Sequence, residues 1–456
     1  MLHASFIEIA AKSKEICNKY NVPIIINDRI DIAIAVNARG VHLGQTDMSV
    51  AQARKLLPQG TVIGVSCNNA DHVRAAIRDG ADYIGIGAVW GTQTKQLTSP
   101  LVGVRGVGAL LELLDGTGVK AVAIGGIKVD NVLRTVHGSV SRTGHTLDGV
   151  AIISEIMASR DPRKSAMTLS VIFNSFNPSL PPTLSPKGPS LGEAIVEKVI
   201  GLMSVTKVVN PLIQQITNIV VAMQSANMTL SLGASPIMTS EPQEMEDLGR
   251  SISALLINIG TMRSDGKEGM LKGGLVANRN KRPIVFDPVG IGASEFRKEM
   301  TRDLLNTFQA SVIKGNAGEL ANLAGSREVS SKGVDSIGSG FKDPIGFTRQ
   351  LARKETLTGP VDYISDGTNV VALSNGDDML GEITGSGYEE YVMGKLVQGD
   401  MLLGAVAGIM VFTIAAEMAV QREDVKGPGT FLPALIDELW NLEPSTVRSL
   451  ARIEVF

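Results

Sequence analysis

The chain has 456 residues, about three times the common domain size, so two domains are expected and a single small module is excluded. Its 46 acidic and 43 basic side chains leave a net charge of -3, which gives no global attraction to nucleic acid or anionic lipid; neutral proteins or small molecules are the expected partners. With 44% apolar residues, 49 Gly and 4% aromatics the composition suits α/β layers, while two Cys exclude a disulfide framework or structural zinc site and point to a reducing compartment, the cytoplasm.

The first residues carry no basic region ahead of a long apolar run, so no secretory signal is read. Short β-branched runs then recur at 22–27, 40–43, 61–66, 82–87, 120–124 and 149–154. Helix-like text at 49–57, 69–79, 103–114 and 129–136 separates them, the rhythm of right-handed βαβ units. Six strands are legible. A closed (β/α)8 barrel needs eight, so the expectation is either an open sheet or a barrel whose two further strands precede Met1.

Between Asn174 and Ser190, Pro178, Pro181, Pro182, Pro186 and Pro189 forbid regular helix and central strand. The expected division is a first domain over 1–165, a linker over 166–192 and a second domain over 193–456. In the second, apolar segments at 254–260, 283–287, 311–314, 361–366 and 369–373 alternate with helix-like text and end in a long helix across 400–421, again an α/β sheet covered by helices. The most apolar stretch, 401–416, is shorter than the roughly 18 residues of a bilayer span and predicts a buried core helix, with no membrane association.

Several chemistries are excluded. Neither Gly266-Lys267 nor Gly394-Lys395 is followed by Ser or Thr, so there is no P-loop, and no G-x-G-x-x-G leads from a strand into a helix. All five His lie at or before His145 and both Cys before residue 68, so the second half has no Ser-His pair, Cys nucleophile or zinc site of its own.

What remains sits at strand ends. Asn27-Asp28 closes the first strand and Asp47 follows the second, so two carboxylates could meet one Mg2+, or each could cap a helix. Ser66 ends the third strand. Thr92-x-Thr94-Lys95 follows the fourth with two hydroxyls and a cation, suited to a diphosphate or to a solvated loop. Gly125-Gly126 and Ile153-Ser154 end the last two strands, where barrel loops bind phosphate through backbone N–H groups. In the second half Asp287 and Lys314-x-x-x-x-Glu319 end adjacent strands and suit a Mg-nucleotide. Gly385-Ser386-Gly387 is a turn before a helix, either plain or fit for a transferring phosphoryl group, and Met238 is a core residue or a pocket wall.

The ordered strings INDRIDIAIAVNARGVHLGQTD, GVSC, GADYIGIGAVWGTQTK, AIGGI and DGVAIIS resemble thiamine-phosphate synthases, TIM-type β/α barrels that join a pyrimidine diphosphate to a thiazole phosphate. QQITN, SLGASPIM, ALLINIGT, DPVGIGAS, IKGNAGE, LTGPVDYISDG, ITGSG and KGPGTF resemble hydroxyethylthiazole kinases of the ribokinase-like class. Joined in this order, they are similar to the fungal bifunctional enzymes of thiamine biosynthesis.

The resemblance implies that Asn27 touches the pyrimidine diphosphate, that Asp28 and Asp47 hold Mg2+, that Ser66 and Lys95 grip the diphosphate, and that Thr92, Thr94, Gly126, Ile153 and Ser154 seat the thiazole phosphate. In the kinase half it puts Met238 and Gly385 against the thiazole alcohol, Asn218 at the pocket, Lys314 and Thr358 near ATP, and Asp287 and Glu319 near Mg2+. The Gly385-Ser386-Gly387 turn would stabilise the phosphoryl group in transit. It also implies a homo-oligomer with kinase sites between subunits. Four features depart from the pattern: the first two barrel strands are not in the text, Tyr388 stands where the kinases carry a Cys, Ile219 stands where a second Asn is usual, and the strand before Leu357 is shortened. A non-catalytic oligomer subunit, or another phosphate-binding barrel fused to another kinase, are the alternative readings.

Overall fold

The computed structural model describes the chain apart from residues 1, 93, 95–98, 175–188, 263–265, 327, 333–334, 338–339, 352–355, 359–360 and 384–399. It divides into two compact units, Met1–Leu180 and Pro181–Phe456.

The first unit is built on six parallel strands: β1 (Ile25–Asn27), β2 (Gly40–Leu43), β3 (Val62–Cys67), β4 (Tyr83–Ile86), β5 (Lys120–Ile124) and β6 (Gly149–Ala151). They lie side by side in sequence order, joined mainly by helices. Right-handed crossovers with no reversal of order put every such helix on one face, so the sheet curls into a parallel half-barrel. The strand residues record this with period two. Val41, Leu43, Ile63, Val65, Ile84, Ile86, Ala121 and Ala123 share one core with Val73, Val104, Val107, Leu111 and Val132 of the helices. Their alternates His42, Ser66, Tyr83, Val122 and Ile124 are only half-buried on the opposite face. A Cβ at Gly64 would lie 2.0 Å from the Tyr83 ring, so glycine there lets that ring cross the sheet.

Each of the six strands forms where the β-branched runs predicted it. The last is shorter than expected: it stops at Ala151, and Ser154 opens the helix Ser154–Met157. Residues 166–174, expected in the linker, belong to the helix Pro162–Asn174, whose Leu169 is buried in the same core. Proline does not interrupt the chain until Pro178, so nothing ends that helix earlier.

The second unit contains β7 (Leu212–Ile216), β8 (Ser235–Ile237), β9 (Ala254–Asn258), β10 (Ile284–Asp287), β11 (Val312–Asn316), a separate hairpin of β12 (Ser330–Lys332) and β13 (Asp335–Ile337), β14 (Thr356–Thr358), β15 (Asp362–Ser365), β16 (Val370–Leu373) and β17 (Ile453–Val455). The main sheet runs β17-β16-β15-β14-β11-β10-β9-β7-β8. From β8 to β14 it is parallel, and β15 to β17 extend it antiparallel. The chain steps out from β7 to β8 and returns to the other side of β7 for β9. That reversal places helices on both faces and marks the crevice where open α/β sheets bind ligands. Successive strand residues serve opposite cores: Ala254, Leu256, Val285 and Val312 pack with the helices Pro189–Val209, Met401–Val420 and Pro428–Asn441, while Leu255, Ile257, Ile284, Phe286 and Ile313 pack on the other side. Burial of both faces is why these strands read as unbroken apolar runs.

The long helix expected across 400–421 forms as Met401–Val420 and runs past the apolar stretch 401–416. Met401–Val420 has 20 residues and a mean hydropathy of 2.0 in its most apolar window, enough by length and composition to cross a membrane, yet 78% of that window is buried inside the unit. Its extension carries Glu417, which accepts from Gly376 N at 2.8 Å and Asn375 Nδ2 at 3.1 Å and pairs with Arg452. Those partners satisfy a charge that would otherwise end the buried stretch.

Candidate functional sites at two strand edges

At the carboxyl edge of the first sheet, Asp28 follows β1 in a left-handed conformation (φ 61°), its backbone N–H donating to His42 O at 2.8 Å. Asp47 follows β2, and its Oδ2 accepts from Gly44 N at 2.7 Å. Neither is a helix cap. Ser49 caps Val50–Leu56, and the residue before Ile30–Ala35 is Arg29, with no side-chain cap bond. Both carboxylates are exposed, at the ends of strands paired through Asn27 and His42. Among the described residues no group of three or more His, Cys, Asp and Glu is arranged to hold a metal.

Ser66 sits deeper. His42 Nε2 lies 3.0 Å from its Oγ and His42 Nδ1 lies 2.9 Å from the Tyr83 hydroxyl, while Gln45 Nε2 donates to Ser66 O at 2.6 Å. Burial pushes the His42 imidazole below its ordinary value, against the opposing charge of Asp47, which favours a neutral ring between the two hydroxyls. Neither His42 nor Gln45 was chosen from sequence. The signal was present, since both fall in the same strand and loop as Asp47.

Thr92 Oγ1 accepts from Thr94 N at 3.1 Å, which folds that loop back on itself; Lys95 lies outside the described residues. Gly126 has φ 66°, and a Cβ there would come within 2.5 Å of Gly91 O, so only glycine brings the β5 loop this close to the β4 loop. Ile153 is half exposed and Ser154 begins a helix of four residues. A polar concavity of about 530 Å3 lies at the opposite end of the sheet, but Lys14 there donates to Val36 O and Asn37 O, and Arg39 to Gly60 O, which is loop bracing.

In the second unit, six neighbouring parallel strands bring site residues to one edge. Met238 follows β8, Asn218 follows β7, Asp287 ends β10, Lys314 lies in β11 ahead of Glu319, and Thr358 ends β14 in register with Asn316. Asn258, which sequence reasoning missed, ends β9 in register with Asp287. Its Nδ2 donates to Asp287 Oδ2 at 2.9 Å, and its Oδ1 accepts from Asn218 Nδ2 at 2.9 Å. Asp287 is 3% exposed and its Oδ1 is buried without a hydrogen-bond partner among the described residues. Glu319 is 5% exposed; Oε1 accepts from Gly290 N and Oε2 from Asn316 N, each at 2.9 Å, closing a capping box with Asn316. Burial pushes the Asp287 carboxyl up, opposed by the Lys314 charge, and burial together with the Asp287 charge pushes Glu319 up to about 7. Gly385, Ser386 and Gly387 lie outside the described residues, as does Tyr388.

Two buried carboxylates and a Lys at a switch-point crevice suit a phosphoryl compound, and the comparisons specify which. The profile described as Thiamine monophosphate synthase matches residues 2–156, and that of the Hydroxyethylthiazole kinase family matches residues 203–445. A probable thiamine biosynthetic bifunctional enzyme from Schizosaccharomyces pombe is 37% identical over 97% of this chain and 88% of its own length. The chain belongs to the bifunctional thiamine biosynthetic enzymes. The Saccharomyces cerevisiae thiamine biosynthetic bifunctional enzyme is 33% identical over 96% of this chain and 87% of its own length. The solved hydroxyethylthiazole kinase protein of Pyrococcus horikoshii superposes with a TM-score of 0.51 and 33% identity over 57% of this chain and 99% of that one. This family member is therefore a transferase of thiamine phosphate biosynthesis, and a fusion of some other barrel with some other kinase is set aside.

Proposed function

We propose that the two carboxyl edges carry successive steps. In the second unit ATP phosphorylates the thiazole alcohol: the alcohol oxygen bonds to the γ-phosphorus, its proton passes to an oxygen of the transferred phosphoryl group, the bond to the β-phosphate oxygen breaks, and ADP leaves. In the first unit the pyrimidine methylene loses diphosphate and the thiazole nitrogen of the phosphorylated product captures it. The observation that carries the reading is Asp287, buried one strand from the switch point with one oxygen held by Asn258 and the other without a hydrogen-bond partner among the described residues.

An unpartnered buried carboxylate oxygen beside a second buried carboxylate fits a hard cation, and Mg2+ is commonly held by one or two carboxylates plus substrate phosphates. Asp287 and Glu319 would hold it, and when bound it would neutralise phosphate charge. Lys314 and Thr358, on adjacent strands, would face ATP, Asn218 and Met238 the alcohol, and Gly385, Ser386 and Gly387 would receive the phosphoryl group. In the first unit Asp28 and Asp47 would hold a second Mg2+, Asn27, Ser66 and Lys95 the pyrimidine diphosphate, and Thr92, Thr94, Gly126, Ile153 and Ser154 the thiazole phosphate.

The finer architecture belongs to the same proposal. The half-barrel, with β1 and β6 both at edges, fits a TIM-type barrel that needs two more strands between them, and the doubly wound second sheet fits the ribokinase-like class. Domain limits near 1–174 and 189–456, set by the helices Pro162–Asn174 and Pro189–Val209, a homo-oligomer and a cytoplasmic location complete it; the buried Met401–Val420 helix and the free thiols support the last. The test is chromatographic: the full chain with ATP, Mg2+ and hydroxyethylthiazole yields the thiazole phosphate, and adding hydroxymethylpyrimidine diphosphate yields thiamine phosphate. Absence of both products from folded protein returns the non-catalytic-subunit reading.

A further inference from the structure

Asn258 is 1% exposed and touches two residues assigned above, yet has no part of its own in either step. An Asn amide can donate to a carboxylate with one end while accepting with the other. Here Nδ2 donates to Asp287 Oδ2, and Oδ1 accepts from Asn218 Nδ2 and, at 2.9 Å, from Gly260 N. The amide cannot flip without opposing Asp287 with an oxygen and Gly260 with an N–H. Its neighbours are fixed in turn. Arg297 donates to Ile259 O at 2.8 Å, Val289 O at 2.9 Å and Gly260 O at 2.7 Å, pinning the loops after β9 and β10 together. Asn218 Oδ1 accepts from Val220 N at 3.0 Å and Val221 N at 3.2 Å, which ties it to the start of the helix Ala222–Ser231. A Cβ at Gly260 would lie 2.6 Å from Asn218 Nδ2, so glycine is what allows the loop to close over the pair.

We propose that Asn258 is a positioning residue for phosphoryl transfer: it chooses which oxygen of Asp287 stays open and locks that choice to the orientation of Asn218 across β7, β9 and β10. This rests on the kinase reading of the same crevice. Misplacing a reacting constellation by about 1 Å can cost on the order of 100-fold in rate without weakening ground-state binding.

The experiment compares the full chain with Asn258→Asp and Asn258→Leu. The Asp variant keeps the acceptor for Asn218 and Gly260 but replaces the donor to Asp287 with a repelling oxygen, so the two arms of the network separate. The expected result is a kcat for thiazole phosphorylation at least tenfold lower per folded molecule, a KM for the alcohol within twofold, a melting temperature lowered but still well above that of the assay, and a crystal structure with Asp287 turned and Asn218 in place. The Leu variant loses both arms and raises KM as well. A kcat within twofold of the unaltered chain, a rate loss matched by an equal loss of folded protein, or an unmoved Asp287 overturns the proposal. Should the Asp variant not fold, Asn258→Ser, whose hydroxyl falls short of Asp287, is judged by the same criteria. If the unaltered chain makes no thiazole phosphate, the kinase reading fails separately, and Asp287 unmoved in the variant crystals overturns the positioning claim on its own.

Discussion

The two strand edges hold their carboxylates in opposite ways. Asp28 and Asp47 are exposed on short loops of the half-barrel, where solvent and salt screen them, and the half-buried polar chemistry there is the His42–Ser66–Tyr83 contact. Asp287 ends β10 and Glu319 opens the helix after β11; both are almost fully buried, the Asp287 charge helps push Glu319 up, and each is held by fixed donors. The carboxyl edge of an α/β sheet thus carries solvent-screened carboxylates in one unit and buried, rigidly held ones in the other.

The sharpest way to break that contrast is to delete a buried carboxylate. Glu319→Ala removes the acceptor for both Gly290 N and Asn316 N, and thiazole phosphorylation should fall by ~100-fold or more while thiamine phosphate formation from preformed thiazole phosphate stays within twofold. Steady-state rates for the two reactions check it. In the first unit packing, not charge, should dominate: Gly64→Ala drives a methyl into the Tyr83 ring and should destabilise that unit by ~1–3 kcal/mol, read from its thermal transition, with kinase activity untouched.

A smaller effect follows from protonation. The folded second unit binds protons at Asp287 and Glu319 more tightly than the unfolded chain does, so this contribution favours folding at low pH and is lost as pH rises from 4.5 toward about 7. Without divalent cations the unit should lose ~1–3 kcal/mol across that window, and Glu319→Gln should flatten the loss in denaturant titrations. The smallest effect is chemical. Burial pushes the Cys67 thiol up to about 12, so a thiol reagent should label Cys17 and leave Cys67 untouched until the protein is denatured.

The strands of the half-barrel were legible because each is β-branched and bounded by helix-like text. In the second unit β7 was not, because Gln214 and Gln215 interrupt its apolar pattern; they are buried, and Gln215 is satisfied by Thr229 at 2.8 Å and by Ser225. Pro236 inside β8 and Glu454 inside β17 likewise break any apolar run at those strands. Asp287 and Glu319 stood out as charged residues at strand ends. Asn258 did not, because its meaning lies in a register partner 29 residues away, which no local spacing encodes. Glu417 shows the converse: it looked like the end of an apolar stretch until Asn375, Gly376 and Arg452 were found around it.

The measurement that bears most directly on two separate crevices with separate tasks is a bypass assay on Asp287→Asn. Given ATP, hydroxyethylthiazole and the pyrimidine diphosphate, the variant should make no detectable thiamine phosphate; given the thiazole phosphate instead, it should match the unaltered chain within twofold. Full activity with the alcohol, or failure with the phosphate from a folded variant whose parent is active, would contradict the account.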